Sequence, residues 1–187
     1  MRLELIDLVT APPGRRSPRI GPVSLALDDG EALALTGPNG VGKSTLLAAI
    51  TGRAPLLSGE CRLPAGSRIR LVEQIARPDR DLPVNGHDFL ALAEADPRPP
   101  APLSGWLPRR LDQLSGGQRQ LLRVWAGLTA PADLVLLDEP SNNLDRRGRR
   151  TLFELLDHRP PDRCLLIVSH DADLVSRVPR QVEMRPA

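Results

Sequence analysis

Between Gly37 and Thr45 the chain reads Gly-Pro-Asn-Gly-Val-Gly-Lys-Ser-Thr, and the rest of the sequence arranges itself around this segment. Gly37, Gly42, Lys43 and Ser44 satisfy the Gly-x4-Gly-Lys-Ser/Thr spacing of a phosphate-binding loop. The flanks agree: an apolar run from Ala32 to Leu35 precedes it and Leu46-Leu47-Ala48-Ala49-Ile50 comes after, so strand, loop and helix stand in the required order. Glycines let the backbone close into a nest of N–H groups, and the helix beyond adds the positive end of its dipole and unpaired donors. In such a loop Lys43 reaches the β- and γ-phosphates of a nucleotide, and the Ser44 hydroxyl holds Mg2+.

Composition sharpens this reading. Lysine and arginine total 25, and Lys43 is the one lysine among them. An ammonium is a compact point charge whereas guanidinium is planar and bulky, so lysine stands where a narrow phosphate nest needs it. The general use of arginine, with 20 prolines and no tyrosine, reflects genome composition rather than a nucleic-acid surface. At 187 residues the chain supports one well-buried core, and we expect a single domain over residues 1–187. A net charge of +2 points to no particular partner. Cys61 and Cys164 lack metal-ligand spacing, so free thiols in a reducing compartment are expected. Met1-Arg2-Leu3-Glu4-Leu5 alternates like a strand, and no apolar run reaches the roughly 20 residues of a membrane span.

Leu3, Leu5 and Leu8 give one half-buried strand, and Val23, Leu25 and Leu27 another, with a turn at Ala11 to Gly14. An antiparallel sheet leading into the nucleotide-binding core is expected. A helix over residues 43–51, a turn at Ser58-Gly59, and short strands near Glu60 to Leu63 and Ile69 to Val72 come next. Asn85 caps a short helix through Phe89 to Ala93, and the prolines at 97, 99, 100, 102 and 108 predict irregular chain in a small, weakly structured insertion. Ser115 caps a helix that begins at Gly116. Leu134 to Leu137 and Cys164 to Val168 are apolar runs of the kind buried in a parallel sheet, with a helix capped by Asp145 between them. The fold class is therefore α/β, with right-handed crossovers.

The first of those runs ends in Asp138-Glu139. At the carboxyl edge of a parallel sheet, Asp138 can complete a Mg2+ shell and Glu139 can polarise a water in line with a γ-phosphate.

Leu114-Ser115-Gly116-Gly117-Gln118 resembles the signature motif of ATP-binding cassette (ABC) ATPases, in its family position ahead of the strand that ends in Asp138-Glu139. Gln74 resembles the family's Q-loop glutamine, Ser141-Asn142-Asn143-Leu144-Asp145 its D-loop, and Ser169-His170-Asp171 its switch histidine, all in family order across the chain. The resemblance implies a P-loop NTPase core of the ABC type, with an N-terminal antiparallel β subdomain and a short helical insertion. Residues 76–113 form that reduced helical and signature-bearing subdomain. It implies ATP and Mg2+ as cofactors, bound by Gly37, Pro38, Asn39, Gly40, Gly42, Lys43, Ser44 and Thr45, with Ser44, Asp138 and Gln74 toward the metal. Glu139, His170 and Gln74 become the catalytic set. Ser115, Gly116, Gly117 and Gln118 would close over the nucleotide of a second cassette, with Asp145 bracing the neighbouring site, so a homodimer or heterodimer of cassettes is expected in the ATP state.

The resemblance further implies an ATPase subunit that powers an ABC transporter through a separate transmembrane permease, on the cytoplasmic face of the cell membrane. Asp81-Leu82-Pro83-Val84 is similar to the matching stretch of zinc and manganese importers, which suggests a metal ion as substrate. An alternative is a soluble factor of the F subfamily acting on ribosomes, because Asn142-Asn143-Leu144-Asp145 is common wording there. The run Arg146-Arg147-Gly148-Arg149-Arg150 reads as a solvated helix face, and no nucleic-acid partner is expected. The family's adenine-stacking aromatic has no counterpart, since Phe89 is the first aromatic of the chain. Arg15, Arg16 or Arg19 are the candidate stacking groups in its place, and weak base discrimination is expected.

Overall fold

Leucines at alternate positions build the first sheet. In the computed structural model, which describes residues 2–73 and 84–185, Leu3, Leu5 and Leu8 of β1 (Leu3–Thr10) point inward. So do Val23, Leu25 and Leu27 of β2 (Ile20–Leu27), which pairs antiparallel with β1. The chain then enters β3 (Ala32–Thr36), passes the phosphate-loop motif into α1 (Lys43–Ile50), and returns as β4 (Leu56–Arg62) on the other edge of β1. This three-stranded sheet, ordered β2-β1-β4, is the expected antiparallel subdomain.

Ser58-Gly59 is not a turn. Both residues lie within β4, and the pairing with β1 slips between Ile6 and Val9. Asp7 and Gly59 both take positive φ there, 45° and 77°, and a Cβ on Gly59 would come within 2.2 Å of the Asp7 carbonyl oxygen. A bulge uses the same glycine freedom as a turn, so the dipeptide alone does not distinguish them.

The remaining strands are β5 (Ile69–Val72), β6 (Leu134–Asp138), β7 (Cys164–Val168) and β8 (Arg180–Glu183), and the helices are α2 (Gly86–Leu92), α3 (Gly116–Thr129), α4 (Arg146–Asp157) and α5 (Ala172–Ser176). The second sheet runs β5-β6-β7-β3-β8, parallel throughout. Its central strands explain the unbroken apolar runs, because each face carries its own core. Ala34, Val135, Leu137, Leu165 and Ile167 pack on one side with α3 and α4. Leu33, Leu35, Leu134, Leu136, Leu166 and Val168 pack on the other with α1 and the antiparallel sheet. Among the described residues no helix is long and apolar enough to cross a membrane.

From residue 84 onward the insertion has more regular structure than its prolines predict. Asn85 caps α2 with a full capping box, its side chain accepting from the Asp88 N–H while the Asp88 carboxylate accepts from the Asn85 N–H. Two 3-10 turns come after it, Leu103–Trp106 and Leu111–Gln113. Proline stops helix propagation but not burial: Leu103, Leu107, Leu111 and Leu114 all enter the core against α3. Trp125 of α3 ties the segment down by donating its indole N–H to the Asp96 carbonyl at 2.8 Å.

Candidate functional site

Three neighbouring strands deliver the predicted residues to one edge. Leu35 of β3 and Asp138 of β6 both pair with Val168 of β7, so the chains leave the sheet level with one another. Beyond this level lie the phosphate-loop motif after β3, Glu139 after β6 and Ser169-His170 after β7, at the carboxyl ends where parallel sheets bind ligands. Glu139 donates its N–H to the Val168 carbonyl at 2.9 Å and holds φ at 48°, a left-handed conformation that a glutamate seldom adopts.

A cavity of about 490 Å³ opens at this edge, lined on its polar side by Asn39, Lys43, Ser44, Thr45, Glu139, Asn142 and His170. Lys43 is buried and donates to the carbonyls of Gly37 at 2.8 Å and Pro38 at 3.1 Å, so the loop holds its own ammonium in place. Among the described α-helices only α1 starts without a side-chain cap; the N-cap is Gly42, at φ 106°. Its first-turn N–H donors are therefore left to the loop and to whatever anion occupies it. Glu139 is buried while His170 is exposed, and the His170 Nδ1 lies 2.9 Å from the Glu139 Oε2. Such an arrangement can wrap a polyphosphate at one end and hold a carboxylate and an imidazole over its terminus.

Asp138 carries the metal question. One of its carboxylate oxygens is buried with no hydrogen-bond partner. Burial pushes the Asp138 carboxyl up from its ordinary range; a hydrogen bond from Ser44 pulls it down, Glu139 and Glu73 push it up further, and Lys43 lowers it. Removing a proton from that group is favoured by a cation beside it. Among the described residues no group of three or more His, Cys, Asp or Glu forms a metal cage. One carboxylate and one hydroxyl fit Mg2+, which completes its shell with phosphate oxygens and water.

The signature residues are elsewhere. Ser115 caps α3 in a capping box with Gln118: its hydroxyl accepts from the Gln118 N–H at 3.2 Å, and Gln118 Oε1 accepts from the Ser115 N–H at 2.9 Å. Ser115, Gly116, Gly117 and Gln118 line a second cavity with Asp145, whose carboxylate accepts from the Gly148 N–H at 2.7 Å at the start of α4. This cavity shares no lining residue with the phosphate-loop cavity.

Residues 20–142 match the model of the ABC transporter family. The chain belongs to that family. It is 36% identical over 169 residues to the zinc import ATP-binding protein ZnuC of Alkalilimnicola ehrlichii, a match that covers 86% of this chain and 65% of the relative. It is 35% identical to the zinc import ATP-binding protein ZnuC of Cereibacter sphaeroides, over 82% of this chain and 67% of the relative. The chain thus spans about two thirds of the length of these curated relatives. The crystal structure of a nucleotide-free ATP-binding cassette from an ABC transporter shares the fold, with a TM-score of 0.79 at 20% identity, over 98% of this chain and 88% of that one.

Of the ABC motifs, the structure gathers Lys43, Ser44, Thr45, Glu139 and His170 about one cavity and sets the signature and Asp145 about another. Gln74 and most of Asp81-Leu82-Pro83-Val84 lie outside the described residues. Arg15, Arg16 and Arg19 are exposed, and none lines the phosphate-loop cavity. Pro12, Pro18 and Ile20 line it instead, which sequence reasoning missed because nothing in a lone proline or isoleucine marks a ligand wall. Asn142 was legible as part of the D-loop motif, yet its place in the cavity with Lys43 and Ser44 comes only from the fold.

Proposed function

We propose that this chain is an ATP-hydrolysing subunit whose work is coupled to transport through a separate transmembrane permease. The observation that carries the reading is the Glu139 and His170 pair, 2.9 Å apart, in one cavity with Lys43 and the uncapped start of α1. In this reading Gly37, Asn39, Gly40, Gly42 and Thr45 offer backbone N–H or hydroxyl donors to the phosphates, Pro38, which has no N–H, shapes the loop between them, and Lys43 exchanges its loop carbonyls for β- and γ-phosphate oxygens. Glu139 accepts a proton from the water that attacks the γ-phosphorus, as the bond to the bridging oxygen breaks. His170 steadies that carboxylate and donates to the γ-phosphate. Ser44 and Asp138 hold Mg2+, which when bound neutralises charge on the phosphate oxygens.

The signature cavity has the donors of a helix N-terminus, including the Ser115 hydroxyl, but no lysine and no acid pair of its own, so it serves the nucleotide of a second cassette. Two cassettes pair in the ATP state, as a homodimer or with a relative, and act from the cytoplasmic face of the membrane. The relatives named above are zinc import proteins, which supports a divalent metal ion as the transported substrate. None of those relatives is a ribosome factor, so the soluble F-subfamily alternative gains nothing from them.

The test is capture of the tagged Glu139→Gln protein from gently solubilised native membranes with Mg-ATP. Co-purification of a multi-span membrane protein is expected. Ribosomal proteins with no membrane partner would overturn the transport reading and leave the hydrolytic one standing.

A further inference from the structure

The sequence reads Arg146 to Arg150 as a solvated helix face, and the fold gives part of that run a second wall. Arg146, Arg149 and Arg150 stand at i, i+3 and i+4 of α4, so they share one face, and like charges so spaced repel. They also lie near the helix N-terminus, where the dipole is positive, and the first turn holds no acid. Phe153 continues the same face. Arg177, at the end of α5, joins it from outside the run: its Cζ is 4.3 Å from the centroid of the Phe153 ring, a cation–π contact that steadies the guanidinium. The four arginines and Phe153 line a pocket of about 490 Å³. Asp145 and Asp173 are the acids of the lining, and Asp145 already accepts from the Gly148 N–H. Arg149 lies 3.8 Å from the Asp171 carboxylate, beyond hydrogen-bond range. Among the described residues, the side chains of Arg146 and Arg150 make no hydrogen bond or ion pair.

We infer that this pocket binds a small soluble oligophosphate anion. It shares no lining residue with the phosphate-loop cavity and meets the signature cavity only at Leu144 and Asp145. Guanidinium forks pair with phosphate oxygens through strong, charge-assisted hydrogen bonds. A single planar carboxylate is filled by one fork; linked phosphates present oxygens in several directions and can take forks that arrive from two helices. An anion held there also offsets the repulsion within the α4 face. A nucleic-acid surface spreads its cations along a stripe, whereas these four converge on one concavity of the size that takes a small molecule. Because α4 follows Asp145 and α5 follows His170, one ligand touches the helices that leave both motifs.

Calorimetric titration with sodium pyrophosphate tests this on the Lys43→Ala chain, whose phosphate loop competes weakly for the probe. One pyrophosphate per chain is expected. Arg150→Ala and Arg177→Ala should each weaken binding about tenfold, and together about a hundredfold. Arg150→Ala should not lower the melting temperature, since its exposed side chain leaves two like-charged neighbours on the same face. Arg147→Ala makes the same charge change on the same helix outside this pocket, and should weaken pyrophosphate by about twofold at most. Equal losses from Arg147→Ala and Arg150→Ala would mean a diffuse positive face and overturn the site. So would the absence of pyrophosphate binding, or binding that ignores Arg150→Ala and Arg177→Ala. Citrate, similar in charge but built of carboxylates, should bind at least about tenfold more weakly, and equal affinity would overturn the phosphate class. Phosphatidylglycerol vesicles or RNA bound through Arg150 and Arg177, with no pyrophosphate binding, would assign the face to a membrane or a nucleic acid instead.

Discussion

The two cavities of this chain are built on the same device, a helix N-terminus, and complete it differently. At α1 the cap is a glycine in the left-handed region with no side-chain acceptor, and the surrounding groups are a lysine, two acids and a histidine. At α3 the cap is a serine locked to Gln118 in a capping box, and the surrounding groups are Asn143, Asp145 and Arg147. The first gathers the lysine, the carboxylates and the imidazole on which the proposed hydrolysis draws. The second has donors without a base, a metal carboxylate or a lysine, and it opens on a different part of the surface. On the proposed reading each cavity is part of a site, and two chains complete both sites by pairing, each lending its signature residues to the phosphate loop of the other.

The sharpest break of that comparison is at Glu139. Glu139→Gln keeps the shape of the pocket and removes the basic oxygen, so turnover should fall by at least about a hundredfold. ATP affinity should persist, and gel filtration with ATP should show a dimer. A variant that stays monomeric with ATP would count against the two-chain arrangement. Lys43→Ala acts one step earlier, on binding: ATP affinity should fall about ten- to a hundredfold, or about 1.4 to 2.8 kcal/mol, in direct titration.

Ser115→Arg should leave nucleotide binding to the isolated chain intact while lowering turnover, by placing a bulky side chain where a second nucleotide is to sit. Mixing the Lys43→Ala and Ser115→Arg proteins then tests lending directly. In the mixed pair, the Lys43 of one chain faces the Ser115 of the other, so one site is whole, and part of the turnover should return. No recovery would mean that the two cavities do not meet across an interface.

Much of this was legible in sequence because the informative residues are local. The strand, loop and helix at Gly37 to Ile50, the buried runs at Leu134 and Cys164, and the caps Asn85, Ser115 and Asp145 each depend on near neighbours, and the fold has each of them where the sequence puts it. The differences arise where a partner strand or packing decides. Ser58-Gly59 looks like a turn until Asp7 is placed across from it, and the leucines at 103, 107 and 111 look like loop residues until α3 lies over them. The lining of the phosphate-loop cavity by Pro12, Pro18 and Ile20 is the same case at the site: it exists only because the hairpin folds back onto the phosphate loop.

The smallest expected effect is at Asp145, where a structural duty and a proposed functional one coincide. Its carboxylate accepts from the Gly148 N–H, and it precedes a first turn that contains Arg146, Arg147 and Arg149 but no acid. Those cations stand at the positive end of the α4 dipole, so the Asp145 charge offsets them as well as capping the helix. Asp145→Ala removes both contributions and should cost about 1 to 2 kcal/mol, a fall in Tm of roughly 2–8 °C for a chain of this size. Asp145→Asn keeps an acceptor for the cap and removes only the charge, so its melting shift should be clearly smaller, about 0.3 to 1 kcal/mol. Turnover separates the duties. If Asp145 is only a cap, activity should track stability, and the asparagine variant should be nearly as active as the parent at a temperature where both are folded. A stable asparagine variant with low turnover, rescued in mixed dimers by a chain carrying the natural Asp145, would assign the carboxylate to the neighbouring active site.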